Sequence, residues 1–158
     1  MTTTTHASAV LIGARAVLIR GPSGAGKSRL AFALIQAQAQ GLLRFTRLVA
    51  DDRAILETHN GLLLVRPAPQ LAGLIEVRGL GIRRLAFEPV AVIGLVVDLS
   101  AVDAERLPAS EAGQTVISGV ALPRLAVAAD ATPLPVILAC LTSNPMTGDS
   151  AGGQLTPD

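Results

Sequence analysis

The octapeptide Gly21 to Ser28, GPSGAGKS, constrains this chain more than any other feature. It fits Gly-x-x-x-x-Gly-Lys-Ser, a spacing in which glycines let consecutive amide hydrogens turn inward onto phosphate oxygens. Ala16 to Arg20 before it reads as a short apolar strand. Lys27 to Gln40 after it carries Leu30, Phe32, Ala33, Leu34, Ile35 and Ala37 among good helix formers, with Gly41 placed as a stop. Strand, loop and helix in that order put the loop at a helix N-terminus, where the dipole favours anions. Gly21, Pro22, Ser23, Gly24, Ala25, Gly26, Lys27 and Ser28 are therefore candidate contacts to a nucleoside triphosphate. Lys27, the sole lysine of the chain, belongs against the outer phosphates, and the Ser28 hydroxyl is a candidate magnesium ligand.

Composition narrows what surrounds this loop. With 158 residues, half of them hydrophobic and only 16% charged, the chain is sized for one compact domain with its own core. Charged residues, glycine or proline interrupt every apolar run before the roughly 18 residues that a membrane span requires. The start, MTTTTHAS, lacks a basic segment followed by an apolar stretch, so no secretory signal is read and a cytoplasmic location is expected. A net charge of +1 with scattered arginines provides no basic stripe for nucleic acid. Cys140 is the only cysteine, which excludes an intrachain disulfide or a cysteine-based zinc site, and its apolar neighbours suggest packing.

Along the chain, Ala9 to Ile12 and Ala16 to Arg20 read as two short strands around Gly13-Ala14-Arg15, a hairpin or a bend. Arg47 to Ala50 is a strand ending in Asp51-Asp52, and Ile55 to Thr58 with Leu62 to Val65 forms a hairpin at Asn60-Gly61. Leu74 to Val77 leads into Arg78 to Ile82, read as a loop from its two glycines. The valine-rich run Val90 to Leu99 is suited to a central strand buried on both faces. Thr115 to Ser118 and Arg124 to Val127 are further strands, and Leu134 to Leu141 a helix behind Pro133. Residues 143–158 are rich in Gly, Ser, Thr, Pro and Asp and are expected to be a disordered tail to a domain of residues 1–142. Asp51 and Asp52 are candidate magnesium-linked acids, and strand alternation lets only one face the phosphate.

Three segments together resemble the catalytic domain of the HPr kinase/phosphorylase family: GPSGAGKS, LVADDR from Leu48 to Arg53, and LIEVRGLGI from Leu74 to Ile82. The third is the discriminating one, because Glu-x-Arg-Gly-Leu-Gly-Ile is a signature of that family. The resemblance covers residues 6 to about 142 and is to the short form without a separate N-terminal domain. It implies a phosphoenolpyruvate carboxykinase-like P-loop α/β domain with a mixed sheet, one helix after the loop and a C-terminal helix. It also implies ATP and Mg2+ as cofactors, an HPr-like phosphocarrier protein as partner, and a homo-oligomer, hexameric in the family. Carried over by position, Asp52 is the general base toward a serine hydroxyl and Asp51 supports it. His6, Arg78 and Arg106 match family catalytic residues, and Glu76 joins Ser28 at magnesium.

Two positions depart from the family pattern. Arg29 stands where an acid usually follows the loop serine, and Ala128-Ala129-Asp130-Ala131-Thr132-Pro133 replaces a basic segment associated with dephosphorylation. The expectation is a kinase with weak or absent reverse phosphorolysis. A module that senses nucleotide without transferring phosphate is the competing reading. A small-molecule kinase fits the phosphate loop but leaves the Glu76 to Ile82 signature unexplained.

Overall fold

The computed structural model describes residues 2–105, 108 and 113–144. The hairpin around Gly13 is formed by Ser8–Ile12 (β2) and Arg15–Arg20 (β3), antiparallel with Val10 opposite Val17. Helix α1, Lys27–Ala39, follows the glycine loop and buries Leu30, Ala31, Leu34 and Ala37, one stripe at helical spacing. Its end is a Schellman motif: Leu42 N–H bonds to Ala37 O at 2.9 Å and Gly41 N–H to Gln38 O at 3.0 Å. Gly41 has φ 75°, a conformation that costs other residues and explains why the helix stops there. Leu34 is fully buried, so its truncation to alanine costs about 2–5 kcal/mol.

Thr46–Ala50 (β4) pairs antiparallel with β2, and Ala54–His59 (β5) with Leu62–Pro67 (β6) makes the Asn60-Gly61 hairpin, its turn residues at φ 51° and 78°. Leu74–Val77 (β7) and Gly81–Arg84 (β8) form a second, separate hairpin. The segment read as a loop from Arg78 to Ile82 is thus a turn at 78–80 with Gly79 at its centre, followed by a strand that Gly81 opens. Ala91–Leu99 (β9) is central. Beyond it come Gln114–Ile117 (β10), Val120–Val127 (β11) and the helix Pro133–Thr142 (α2).

One strand had no signal in the sequence: Thr2–Thr5 (β1) pairs antiparallel with β5, Thr5 opposite Ala54. Threonine favours strands, but the pairing partner lies some fifty residues away. The nine-stranded sheet runs β1-β5-β6-β9-β3-β2-β4, with β11 also on β9 and β10 on β11. β9 is parallel to β3 and to β11 and antiparallel to β6, which makes the sheet mixed.

Alternation along these strands divides the core in two. Val17, Ile19, Leu95, Val97 and Leu99 face α1 and α2, with Leu34 and Ile137 packed on them. Ala16, Leu18, Ile93 and Val96 face the other way and meet Leu56, Leu63 and Val65 of the β5–β6 hairpin. Both faces of β9 are therefore packed, as its apolar run requires. Cys140 does not follow expectation. It is exposed on α2, because Ile137 takes the face of that helix turned to the core. Among the described residues, no helix is long and apolar enough to cross a membrane.

Candidate phosphate and magnesium site

β4 and β3 both run antiparallel to β2, and β9 and β11 run parallel to β3, so four strands end at one edge of the sheet. That edge is where open α/β sheets take ligands. β3 delivers Gly21 there, β4 Asp51, β9 Ser100 and β11 Ala128. At Gly21 an added Cβ would stand 3.1 Å from the Leu99 Cβ and 3.2 Å from that of Ala25, so the loop lies hard against the end of β9. Gly26, the N-cap of α1, has φ 97°, and no side chain caps the helix. An α-helix leaves its first N–H groups without intrahelical partners, and here they open onto the loop. Lys27 Nζ bridges the loop, donating to Gly21 O at 2.8 Å and Pro22 O at 3.2 Å.

Asp51 gathers the site. It is only 4% exposed, and its Oδ1 accepts from Ser28 Oγ and from Ser8 Oγ, each at 2.7 Å. Its Oδ2 accepts from the Glu76 backbone N–H at 3.2 Å. One carboxylate thus ties α1, β2 and β7 to the end of β4. Because Ser28 gives its hydroxyl proton to Asp51, the oxygen's lone pairs remain for a cation. The donors fit magnesium: Ser28, Asp51 and the neighbouring Glu76 are hard oxygens, and Mg2+ takes one or two protein ligands beside phosphate and water.

Asp52 goes the other way, though not by strand alternation. β4 stops at Ala50, and Arg53 N–H bonds to Asp51 O at 2.8 Å, closing a three-residue turn with Asp52 at its apex, φ 66°. Asp52 is exposed there. Positive φ in a residue other than glycine is uncommon, and such strain gathers at functional sites. His6 is exposed in the bend after β1, whose last pair sets Thr5 opposite Ala54. Glu76 is exposed on β7 and Arg78 is exposed in the adjoining turn. Arg106 lies outside the described residues.

Two features carried no motif. Ser8 reaches Asp51 only because β2 pairs with β4, a contact between residues 43 apart. Asp98 at the end of β9 holds Arg20 through two bonds of 2.7 and 2.8 Å and Arg124 through one of 2.6 Å. Arg124 also grips Asp103 at 2.7 and 2.9 Å. Burial alone would raise the Asp98 pKa, but hydrogen bonds from Arg20 and Arg124 and their charges hold it below the ordinary carboxylate value. This clamp fixes the strand ends immediately before Gly21.

A family model described as the HPr Serine kinase C-terminal domain matches residues 1–138. The chain is 36% identical over 138 residues to an HPr kinase/phosphorylase of Geobacillus thermodenitrificans, covering 80% of this chain and 42% of that protein. It is 37% identical over 134 residues to one from Limosilactobacillus reuteri, covering 77% and 39%. It therefore spans about two fifths of the length of these curated relatives. A solved structure, the Hpr(Ser) kinase/phosphatase from Coxiella burnetii, is similar with a TM-score of 0.65 at 28% identity, over 86% of this chain and 91% of that one. With the glycine loop, the acidic pair and the Glu76 hairpin on one edge of such a sheet, this chain belongs to the HPr serine kinase C-terminal domain family.

Proposed function

We propose that this chain is the catalytic part of an ATP- and magnesium-dependent kinase that phosphorylates a serine on an HPr-like phosphocarrier protein. The observation that carries the reading is the bond from Ser28 to Asp51 with Asp52 exposed on the next residue. It supports reading Ser28 as the magnesium ligand, oriented by Asp51, and Asp52 as the exposed carboxylate that takes a proton.

In this reading the N–H groups of the Gly21–Ser28 loop and Lys27 bind the phosphates, and Lys27 leaves the carbonyls of Gly21 and Pro22 to do so. Ser28, with Glu76, holds magnesium, which when bound offsets charge on the phosphates. Asp51 keeps the Ser28 hydroxyl oriented. Asp52 accepts the proton of the incoming serine hydroxyl, with His6 and Arg78 flanking the same edge. The family resemblance assigns Arg106 to the transferring phosphoryl group. It also supports a catalytic domain ending near residue 142 and a homo-oligomeric assembly; the composition of 143–158 supports a tail.

Transfer of labelled phosphate from ATP to HPr tests the reading. Asp52→Asn is expected to lose about 10²- to 10⁴-fold in rate while ATP affinity stays within about threefold. A module that only senses nucleotide transfers nothing in either protein, and that result would overturn the kinase. Reverse phosphorolysis is weak or absent in this reading, because the segment from Ala128 to Pro133 has no basic residue to hold inorganic phosphate. Rapid pyrophosphate release from phosphorylated HPr and phosphate would refute that part alone.

A further inference from the structure

Ser8 opens β2, reads SAVLI with the rest of that strand, and is fully buried there. We propose that Ser8 is a positioning residue for magnesium: its hydroxyl fixes the Asp51 carboxylate, and Asp51 in turn fixes the Ser28 hydroxyl. The inference rests on the reading of Ser28 as a magnesium ligand and extends it to a residue buried behind that ligand.

The register between β2 and β4 makes the contact. Val10 stands opposite Leu48 but Ala9 opposite Ala50, so Val49 is an extra residue in β4. Such a bulge breaks the alternation of faces locally and re-aims the side chains that follow. The core shows it, because Leu48 packs on the α1 side whereas Val49 and Ala50 both pack on the side of the β5–β6 hairpin. Asp51 then turns to the α1 side and reaches Ser28. A regular β4 would aim Asp51 at the apolar cluster of Leu56 and Leu63 instead. The position after the Ala9–Ala50 pair brings Ser8 opposite Asp51, on the face that Val10 shares with α1.

Geometry gives the hydroxyl its role. Ser8 and Ser28 both donate to Oδ1 of Asp51 at 2.7 Å, a length typical of a hydroxyl on a carboxylate. Oδ2 accepts from the Glu76 backbone N–H at 3.2 Å. The carboxylate is thus held from β2 through one oxygen and from β7 through the other, and it cannot rotate without breaking a bond. That fixes the direction in which Ser28 gives its proton, and with it the direction of the lone pairs left for a cation. Without the Ser8 hydroxyl, the longer bond from Glu76 is left to oppose rotation by itself. Packing does not require a serine here, since Ala7, Ala9 and Val10 are buried on either side of it. A buried hydroxyl is costly unless bonded, and this one is bonded to Asp51. Groups behind a metal ligand commonly change metal affinity by about 10- to 100-fold.

Titration calorimetry of the full chain with ATP, once in Mg2+ and once in EDTA, tests this in the wild type, Ser8→Ala and Ser8→Cys. The ratio of the two ATP affinities measures what the metal adds. Cysteine keeps the shape of serine but is a weak donor, so it separates the bond from the space it fills. In both variants the ratio is expected to fall about tenfold or more, while ATP affinity in EDTA stays within about twofold. In phosphate transfer to HPr, the Mg2+ concentration for half-maximal rate rises by about the same factor, and the rate at saturating Mg2+ stays within about threefold. A residue that only stabilises β2 lowers the unfolding midpoint and leaves the ratio alone. An unchanged ratio in both variants therefore overturns the proposal, and so does a Ser8→Cys protein with the wild-type ratio. Equal losses in Mg2+ and in EDTA tie Ser8 to the fold of the phosphate loop rather than to the metal, and overturn it too. A wild type that binds ATP equally with and without Mg2+ overturns the magnesium reading of Ser28 itself, and the role of Ser8 with it.

Discussion

Asp51 has a structural burden that its neighbour lacks. It is buried and accepts from two hydroxyls and a backbone N–H, so Asp51→Ala strands three donors at once. A loss of about 2–4 kcal/mol in urea unfolding is expected, since bonds to charged acceptors are strong and buried donors are costly to orphan. Asp52→Ala removes an exposed side chain and its unfolding midpoint should barely move, within about 0.5 kcal/mol. The proposed roles therefore separate by assay: loss of stability is expected from Asp51→Ala, and loss of phosphate transfer from Asp52→Ala. Gly26 makes a different point. An added Cβ would meet open space there, yet φ is 97°, so Gly26→Ala is penalised through the backbone alone. Turning the backbone away costs about 1–2 kcal/mol and misdirects the N–H groups of the loop, and ATP affinity measured by calorimetry should fall about tenfold.

Among the elements, the ends of β3, β9 and β11 are joined by Arg20, Asp98, Arg124 and Asp103 rather than by apolar packing alone. The Asp98 carboxyl lies below the ordinary carboxylate value in the folded chain, so folding favours its charged form. Its contribution is fully present above the pKa of the unfolded chain, about 4, and is lost as pH falls through the lower folded value. Melting temperatures recorded from pH 7 down to pH 3 should hold and then drop below about pH 4. Asp98→Asn should lower the plateau and flatten the acid limb, while an unchanged profile would mean that the clamp adds nothing. Because Arg20 precedes Gly21, the variant should also weaken nucleotide binding without any contact to it.

For the whole molecule, the site draws on the ends of four strands, the start of α1 and the β7–β8 hairpin, so ligand binding and global stability are linked. Mg-ATP at a hundredfold excess over its Kd should stabilise the fold by about 2.7 kcal/mol. In a chain of this size that is a rise of about 5–11 °C in Tm by differential scanning fluorimetry. Lys27→Ala should abolish the rise with little change in the unliganded Tm. Much of this architecture is legible residue by residue. The phosphate loop, the α1 stop at Gly41, the Asn60-Gly61 turn and the buried run of β9 follow from short-range rules, because each depends on backbone sterics and hydrogen bonds within a few positions. β1, the Ser8 bond to Asp51 and the exposure of Cys140 are not legible in that way. Each depends on which distant strands pair and on which face a helix turns inward. By itself the sequence determined that a glycine-rich loop opens onto a helix. Tertiary structure decided that Asp51 turns in and Asp52 out, because the turn between them is set by the strands and hydroxyls that converge on one carboxylate.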